Sequence, residues 1–89
     1  MRFTWDERKR KTNLRDHGFD FADARGVFEG PTVTYEDDRF PYGEQRFVTL
    51  GFLNGVAVSI AHTEIRERIH VISFRRATKN EEIFLLKNL

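Results

Sequence analysis

Two adjacent arginines, Arg75 and Arg76, are the side chains best suited to do chemistry in this chain. They follow a stretch that predicts a central strand with apolar groups on both faces, contributed by Ile69, Val71, Ile72 and Phe74. Guanidinium groups held at the end of a rigid strand can bind a phosphate or a carboxylate. The alternative is that both arginines are solvated charges at a strand end.

Arg46 and Lys9 are the next cations that could contact a phosphate. Arg46 lies on a predicted strand, where a rigid backbone favours a preorganised site, and its alternative role is a cross-strand ion pair with Glu44 or Glu64. Lys9 lies on a predicted helix, where a single lysine is commonly a solvated charge. Together with Arg75, these residues predict a phosphate clamp.

Histidine titrates near neutral pH, so the three histidines are candidate acids or bases. His17 is the first candidate, although a histidine beside Gly18 can simply hydrogen-bond the last carbonyls of a helix. His70 lies within a predicted strand and is expected to pack under a helix, and His62 ends another strand. No pair has the spacing typical of a zinc site, so we predict neither a metal site nor another cofactor.

The composition predicts one small domain spanning residues 1–89. Hydrophobic residues make up 39% and include nine phenylalanines, so aromatic bulk can fill one core. The absence of cysteine excludes disulfides and thiolate metal sites and is consistent with a cytoplasmic protein. No apolar run approaches the ~20 residues of a membrane span, and no signal peptide is predicted. The net charge of +1 does not by itself indicate nucleic-acid binding.

The first third of the chain predicts a strand and two helices. They are an edge strand at residues 2–5, a surface helix from about 6 to 16 and a short amphipathic helix from about 20 to 28. Asp6 and Asp20 are typical N-caps, and Gly18 suits a left-handed C-cap.

The rest of the chain predicts an antiparallel meander and a last helix. Asn54-Gly55 between two β-prone runs indicates a hairpin, and Thr78 with Glu81 forms a capping box at the start of the helix. The apolar surface of this helix, Ile83, Leu85, Leu86 and Leu89, is expected to lie on the sheet. The prediction is an α+β fold of order β-α-α-β-β-β-β-α, with the helices on one face of a mainly antiparallel sheet.

Three groups of residues have a recognisable order and spacing. They are Trp5-Asp6, Lys9, Asn13, His17-Gly18, Phe21 and Ala24; then Glu44-Gln45-Arg46 and Gly51; then Arg68-Ile69, Ile72-Ser73, Arg75, Ala77-Thr78 and Glu81. Together they resemble the signature of the BrnT family, small toxins of type II toxin–antitoxin modules whose fold resembles RelE-type ribonucleases. The chain departs from the family pattern at three positions. Asp16 stands where the family usually has lysine, Phe74 where it usually has a small residue, and Phe84 where it often has tyrosine.

The resemblance implies a metal-independent endoribonuclease that cleaves RNA and inhibits translation. In such a reaction the RNA 2′-hydroxyl attacks the adjacent phosphate, so the protein must supply cations and proton transfer. The residues predicted to be catalytic are Arg46, Arg75, His17 and Lys9. Those predicted to bind RNA or an antitoxin are Arg76, Lys79, Lys11, Asn13 and Trp5.

The resemblance also implies a partner, a cognate BrnA-like antitoxin that neutralises the toxin and carries the DNA-binding domain of the complex. DNA is then contacted only through the antitoxin. Two other functions stay open on the sequence alone. The chain could be a non-catalytic protein that acts only within the promoter-binding complex, or a free-standing nucleic-acid binder, against which the near-neutral net charge argues.

Overall fold

The computed structural model describes residues 1–89 and contains five strands and three α-helices. In chain order they are β1 (Arg2–Thr4), α1 (Glu7–His17), a 3₁₀ turn (Phe21–Asp23), α2 (Ala24–Phe28), β2 (Val33–Glu36), β3 (Phe47–Leu53), β4 (Val56–Ile65), β5 (Arg68–Arg76) and α3 (Lys79–Asn88). This order and the α+β class confirm the prediction. Each helix is too short or too polar to cross a membrane.

The five strands form one sheet in the order β1-β5-β4-β3-β2. β2 to β5 pair antiparallel, as predicted, whereas β1 pairs parallel to β5 at the edge. Asn54 and Gly55 adopt φ values of 51° and 80°, which is the geometry that a tight hairpin between β3 and β4 requires. β4 extends to Ile65, so only Arg66 and Glu67 separate it from β5.

The helices lie on both faces of the sheet, so the prediction of one covered face is wrong. Val27 of α2 packs with Val58 in the larger core, whereas Leu85 of α3 packs with Ala57 and Leu50 in a second core. Adjacent strand residues point to opposite faces. Ala57 and Val58 therefore place α3 opposite α2. An apolar stripe in the sequence predicts that a helix packs on a sheet, but it does not predict which face of the sheet the helix covers.

α3 buries much less apolar surface than its sequence predicts. Leu85 is its only fully buried side chain. The remaining large apolar side chains are exposed, namely Ile83, Phe84, Leu86 and Leu89. The helix is thus held mainly by one leucine and by its N-terminal cap.

β5 carries a bulge that changes the interpretation of its apolar pattern. His62 of β4 pairs with Val71, and the preceding Ala61 pairs with Ser73, so Ile72 is left without a partner on β4. Because of this extra residue, Val71 and Phe74 both point into the larger core. The expectation of apolar groups on both faces of this strand is therefore wrong.

Asn13 closes the free edge of β5 beyond the short β1. Its side-chain amide donates to the carbonyls of Phe74 and Phe19 at 2.7 and 2.9 Å, and its side-chain oxygen accepts from the Phe74 amide at 3.1 Å. The carboxamide thus replaces the hydrogen bonds that a neighbouring strand would make. The two bonds to Phe74 are buried and therefore shielded from water.

Asn13→Ala should lower the free energy of unfolding by about 2–4 kcal/mol, because it leaves buried backbone groups of β5 without partners. Asn13→Asp keeps the acceptor for the Phe74 amide but places a carboxyl oxygen against the carbonyls of Phe19 and Phe74, so it should also destabilise the fold. Urea denaturation monitored by the fluorescence of Trp5 measures both. Thr12→Ala, an exposed neighbour on α1, is the control. Equal stability of Asn13→Ala and wild type would show that the edge needs no cap.

His62 is a fully buried histidine that the sequence left without a role. Its Nε2 lies 2.7 Å from Thr49 Oγ1, and its ring contacts Phe28 and Phe47, with centroids 5.2 and 6.0 Å away. Its Nδ1 has no hydrogen-bond partner in the protein. Burial lowers the pKa of His62 to about 4 from its usual 6.5, so the neutral imidazole is the form that the core accepts.

The stability of the fold should fall as the pH falls from about 6.5 to about 4. In this range the unfolded state binds a proton at His62 that the folded state cannot hold, and the full difference amounts to roughly 3 kcal/mol. Urea midpoints measured across this range test the effect. His62→Gln can retain the bond to Thr49 and should flatten the profile in this window. An unchanged slope in His62→Gln would assign the acid sensitivity to other groups.

Candidate active site

A bidentate ion pair joins the end of β5 to the first turn of α3. Arg75 donates from Nη1 and Nη2 to the two carboxylate oxygens of Glu81 at 2.8 and 3.0 Å. Glu81 also accepts from the Thr78 amide at 2.8 Å and so completes the predicted capping box. One carboxylate therefore starts α3 and orients the guanidinium.

The pairing with Glu81 leaves one edge of the Arg75 guanidinium free. Nη1 also donates to the Arg76 carbonyl at 3.1 Å, whereas Nε has no acceptor in the protein. Arg75 is partly exposed, with 39% of its side chain accessible. The Nε–Nη2 edge can therefore offer a fork of two parallel N–H groups to an oxyanion.

Arg75 and Arg76 do not form one anion site, contrary to the sequence prediction. Arg75 pairs with Ser59 and Arg76 with Val58 on β4. Cross-strand partners share a face and successive residues alternate. Arg75 therefore lies on the face that carries α3, whereas Arg76 lies on the face of the larger core. A strand end presents two adjacent side chains in opposite directions.

A cleft of about 290 Å³ lies in front of Arg75. Its walls come from β2, the following loop, β3 and α3, and its lining residues are Tyr35, Glu36, Asp37, Asp38, Arg39, Val48, Arg75 and Glu81. Asp37 pairs with Arg39 through contacts of 2.8 and 3.0 Å, so its carboxylate is neutralised as that of Glu81 is. The cleft thus presents two oriented guanidiniums together with two unpaired carboxylates.

Tyr42 links Arg46 to this cleft. The Tyr42 hydroxyl donates to Asp37 at 3.2 Å, and the guanidinium of Arg46 lies 4.1 Å from the centre of the Tyr42 ring. The Asp37 amide donates to the Arg46 carbonyl at 2.8 Å. The predicted ion pair of Arg46 with Glu44 is long, at 3.4 Å from Nε. The Nη groups of Arg46 are left available for another acceptor.

The pKa values of the cleft residues follow from these contacts. The hydrogen bonds from Arg75 lower the pKa of Glu81, and those from Arg39 lower the pKa of Asp37 to about 2. Both carboxylates are therefore ionised at neutral pH. Burial raises the pKa of Tyr35, so its phenol stays protonated and can donate a hydrogen bond.

Comparison with known proteins identifies the family of this fold and site. A family model for the ribonuclease toxin BrnT of type II toxin–antitoxin systems matches residues 5–81. The chain belongs to the BrnT family. The crystal structure of the Brucella abortus ribonuclease toxin BrnT superimposes with a TM-score of 0.72 at 30% identity, covering 89% of this chain and 99% of that chain. No curated protein sequence matches the chain.

The structure divides the residues predicted to be catalytic in this BrnT family member into two groups. Arg75 lines the cleft on the face of α3, and Arg46 is connected to this cleft through Tyr42 and Asp37. Lys9 lies beside Ile72 at the outer edge of β5, in a depression of about 240 Å³. His17 is exposed one helical turn beyond Asn13, and its position on α1 places it on the same side of the protein as Lys9. The catalytic role of each stays a prediction.

The residues predicted to bind RNA or an antitoxin are also divided. Asn13 is buried and its amide is occupied by β5, so it positions the strand. Trp5 packs against the larger core while its Nε1 donates to Glu7 at 3.3 Å. Lys11, Arg76 and Lys79 are exposed, on α1, at the end of β5 and at the start of α3 respectively. These three can reach a partner.

Sequence reasoning missed the roles of Tyr35, Arg39 and Glu81 in the cleft. Glu81 was assigned only to a helix cap, because nothing in its spacing from Arg75 shows that both point to the same place. Nothing in the sequence around Asp37 and Arg39 indicates that these two residues pair and line a cleft. Phe84 stands where the BrnT family often has tyrosine, and its ring lies 6.0 Å from that of Tyr35. The hydroxyl-bearing ring of Tyr35 on β2 therefore lies beside the position where the family often has tyrosine.

Thr78→Ala and Glu81→Gln should separate the cap from the ion pair. Thr78→Ala removes only the capping hydroxyl and should cost about 1 kcal/mol of stability, with the contact between Arg75 and Glu81 intact. Glu81→Gln should lower stability and also release the Arg75 guanidinium. Urea denaturation gives the first quantity, and ¹⁵N relaxation of the Arg75 Nε–H gives the second. An equally mobile Arg75 in both variants would contradict this division.

Proposed function

We propose that this BrnT family member is an endoribonuclease that cuts RNA in the cleft between α3 and the loop after β2. The observation that carries the proposal is the free Nε–Nη2 edge of Arg75, held beside the ionised carboxylate of Glu81. A phosphate bound to this edge would place the 2′-hydroxyl of its ribose next to the carboxylate of Glu81, which can act as a general base. The toxin would act in the cytoplasm and inhibit translation by destroying RNA.

The reaction proceeds by attack of the RNA 2′-hydroxyl on the adjacent phosphorus. Glu81 accepts the proton of the 2′-hydroxyl, the 2′-oxygen forms a bond to phosphorus, and the bond to the 5′-oxygen of the next nucleotide breaks. That oxygen takes a proton, so the products are a 2′,3′-cyclic phosphate and a 5′-hydroxyl. RNA supplies the nucleophile, and the step therefore needs no metal-activated water.

Three further side chains support this step. Arg75 binds the phosphate oxygens, whose negative charge increases in the transition state. Arg46 lies over the ring of Tyr42, which is bonded to Asp37 of the cleft, and stabilises the same charge or the next phosphate. Tyr35, kept protonated by burial, donates to the leaving oxygen. Lys9 and His17 on the other side of β5 are outside this constellation and are assigned to RNA contact.

A type II toxin also has an antitoxin, and here we propose a BrnA-like protein that blocks the cleft. An apolar groove formed by Tyr35, Leu50, Asn80, Glu81 and Phe84 adjoins the cleft and shares two of its residues. A segment with apolar side chains in the groove and a carboxylate on Arg75 would exclude RNA. DNA would be bound by the antitoxin alone, within the complex.

Arg75→Ala should reduce RNA cleavage by about 10²–10³-fold, because it removes the principal donor to the developing charge. Induced expression of the wild type should stop growth with loss of bulk RNA on a gel, and Arg75→Ala should abolish both. Arg75→Lys should remain weak, since an ammonium cannot form the fork. Co-expression of the cognate antitoxin should restore growth in the wild type.

The matched control is Arg15→Ala, an exposed arginine of α1 that pairs only with Asp16. It should arrest growth as the wild type does. A wild-type protein that is folded and soluble but neither cuts RNA nor stops growth would favour the non-catalytic alternative. Arrest that survives Arg75→Ala but is lost in His17→Ala would move the site to the side of α1.

A further inference from the structure

Three arginines that no part of the cleft uses lie together at the opposite end of β5. Arg2, Arg66 and Arg68 line an open depression of about 520 Å³, together with Met1, Ile65 and Glu67. All three arginines are exposed, and none makes an ion pair in the structure. Their guanidiniums are therefore available to a ligand. We call Arg2, Arg66 and Arg68 the turn cluster.

The sheet places two of these arginines side by side, and the repulsion between their charges destabilises it. Arg2 of β1 lies directly opposite Arg68 of β5, and the strand is fixed there because the Arg2 amide donates to the Glu67 carbonyl at 2.8 Å. Like charges in opposite positions on neighbouring strands destabilise a sheet. Arg66 adds a third positive charge from the turn, where its φ is +57°. Nothing in the packing requires arginine at these three positions.

Arg2 and Arg68 of the turn cluster share one face of the sheet with Arg75. On β4 the alternating residues Ser59, Ala61, Thr63 and Ile65 point to the same face, and their partners on β5 are Arg75, Ser73, His70 and Arg68. Arg2 joins this face through its pairing with Arg68. Arg68 and Arg75 pair with Ile65 and Ser59, which are six positions apart on β4, and this corresponds to ~20 Å at about 3.3 Å per residue.

The surface between the two arginine sites is polar and is not covered by α3. Leu85 packs α3 over Val48, Leu50 and Ala57, on β3 and β4. His70 and Ser73, on β5, are only partly buried, and His70 Nδ1 lies 2.9 Å from Thr4 Oγ1. Hydroxyl and imidazole groups along this path can contact ribose and phosphate. A protein-docking surface would be expected to have an apolar centre instead.

The cleft alone is poorly suited to attract RNA. Its lining has two arginines against four carboxylates, of which only Asp37 and Glu81 are paired. Binding to a nucleic-acid backbone depends on neutralising phosphates with cations. The positive charge that holds the substrate must therefore come from outside the cleft.

We propose that the turn cluster is a second binding site for the phosphate backbone of single-stranded RNA, and that the RNA runs along β5 from this cluster to Arg75. This inference rests on the proposed ribonuclease function. An extended strand of a few nucleotides spans the distance, which agrees with the ~4 nucleotides of the smallest single-strand binding sites. The cluster supplies affinity and Arg75 supplies chemistry.

The first test is the salt dependence of RNA binding in an Arg75→Ala background, which prevents cutting. The probe is a fluorescein-labelled single-stranded RNA of twelve nucleotides, followed by anisotropy. Loss of two phosphate contacts in Arg2→Gln with Arg68→Gln should make the slope of log Kd against log salt shallower by about 1.4. Between 50 and 200 mM salt this corresponds to an about sevenfold smaller loss of affinity.

The matched control is Arg15→Gln with Lys87→Gln, which removes the same charge from exposed positions of α1 and α3. Its slope should equal that of the parent protein. A slope of Arg2→Gln with Arg68→Gln equal to that of this control would overturn the proposal. Poly-glutamate that binds the parent but not the cluster variant, with the RNA slope unchanged, would overturn it in favour of a docking site for an acidic protein.

The second test separates this proposal from the proposed function. With Arg75 intact, the cluster variant should raise the KM for the twelve-nucleotide RNA several-fold with kcat unchanged, and it should cut a trinucleotide as the wild type does. An unchanged KM for the longer RNA would overturn the second site. A wild type that cuts neither RNA would refute the ribonuclease proposal, and the slope in the binding test would still decide the turn cluster.

Discussion

The carboxylate of Glu81 is the group on which the candidate site depends most. It binds the guanidinium of Arg75 and caps the first turn of α3 at the same time, through oxygens 2.8 to 3.0 Å from their donors. Because α3 buries little more than Leu85, the cap is a large part of what fixes the helix on the sheet. Helix position and arginine orientation are thus set by one side chain, and a ligand that competes for Arg75 acts on both.

The features that the sequence predicted correctly are set by neighbours in the chain. Asp6, Gly18 and Asn54-Gly55 have the φ angles and hydrogen bonds that their residue types favour, and Thr78 forms its capping box with Glu81. Element order and class follow from hydrophobic periodicity, and the family from short motifs in order. The likeness to RelE-type ribonucleases and the division of catalytic roles stay predictions.

The features that the sequence could not predict depend on contacts between distant segments. Asn13 and Phe74 are 61 positions apart, and no local pattern shows that a helix asparagine will cap a strand edge. The face on which α3 packs, and hence which of Arg75 and Arg76 lies beside Glu81, depends on how the chain leaves the sheet. Tyr35 and Arg39 line the same cleft as Arg75, although β2 lies three strands away from β5 in the sheet.

The unpaired residue Ile72 sets the phase of β5. Without it, residues 68 and 75 would be separated by an odd number of positions on a regular strand and would point to opposite sides of the sheet. With one residue outside the pairing, the count becomes even, and both arginines are carried on a single surface. The bulge therefore reverses the alternation of side-chain directions along β5. It determines that Arg75, and not Arg76, faces α3.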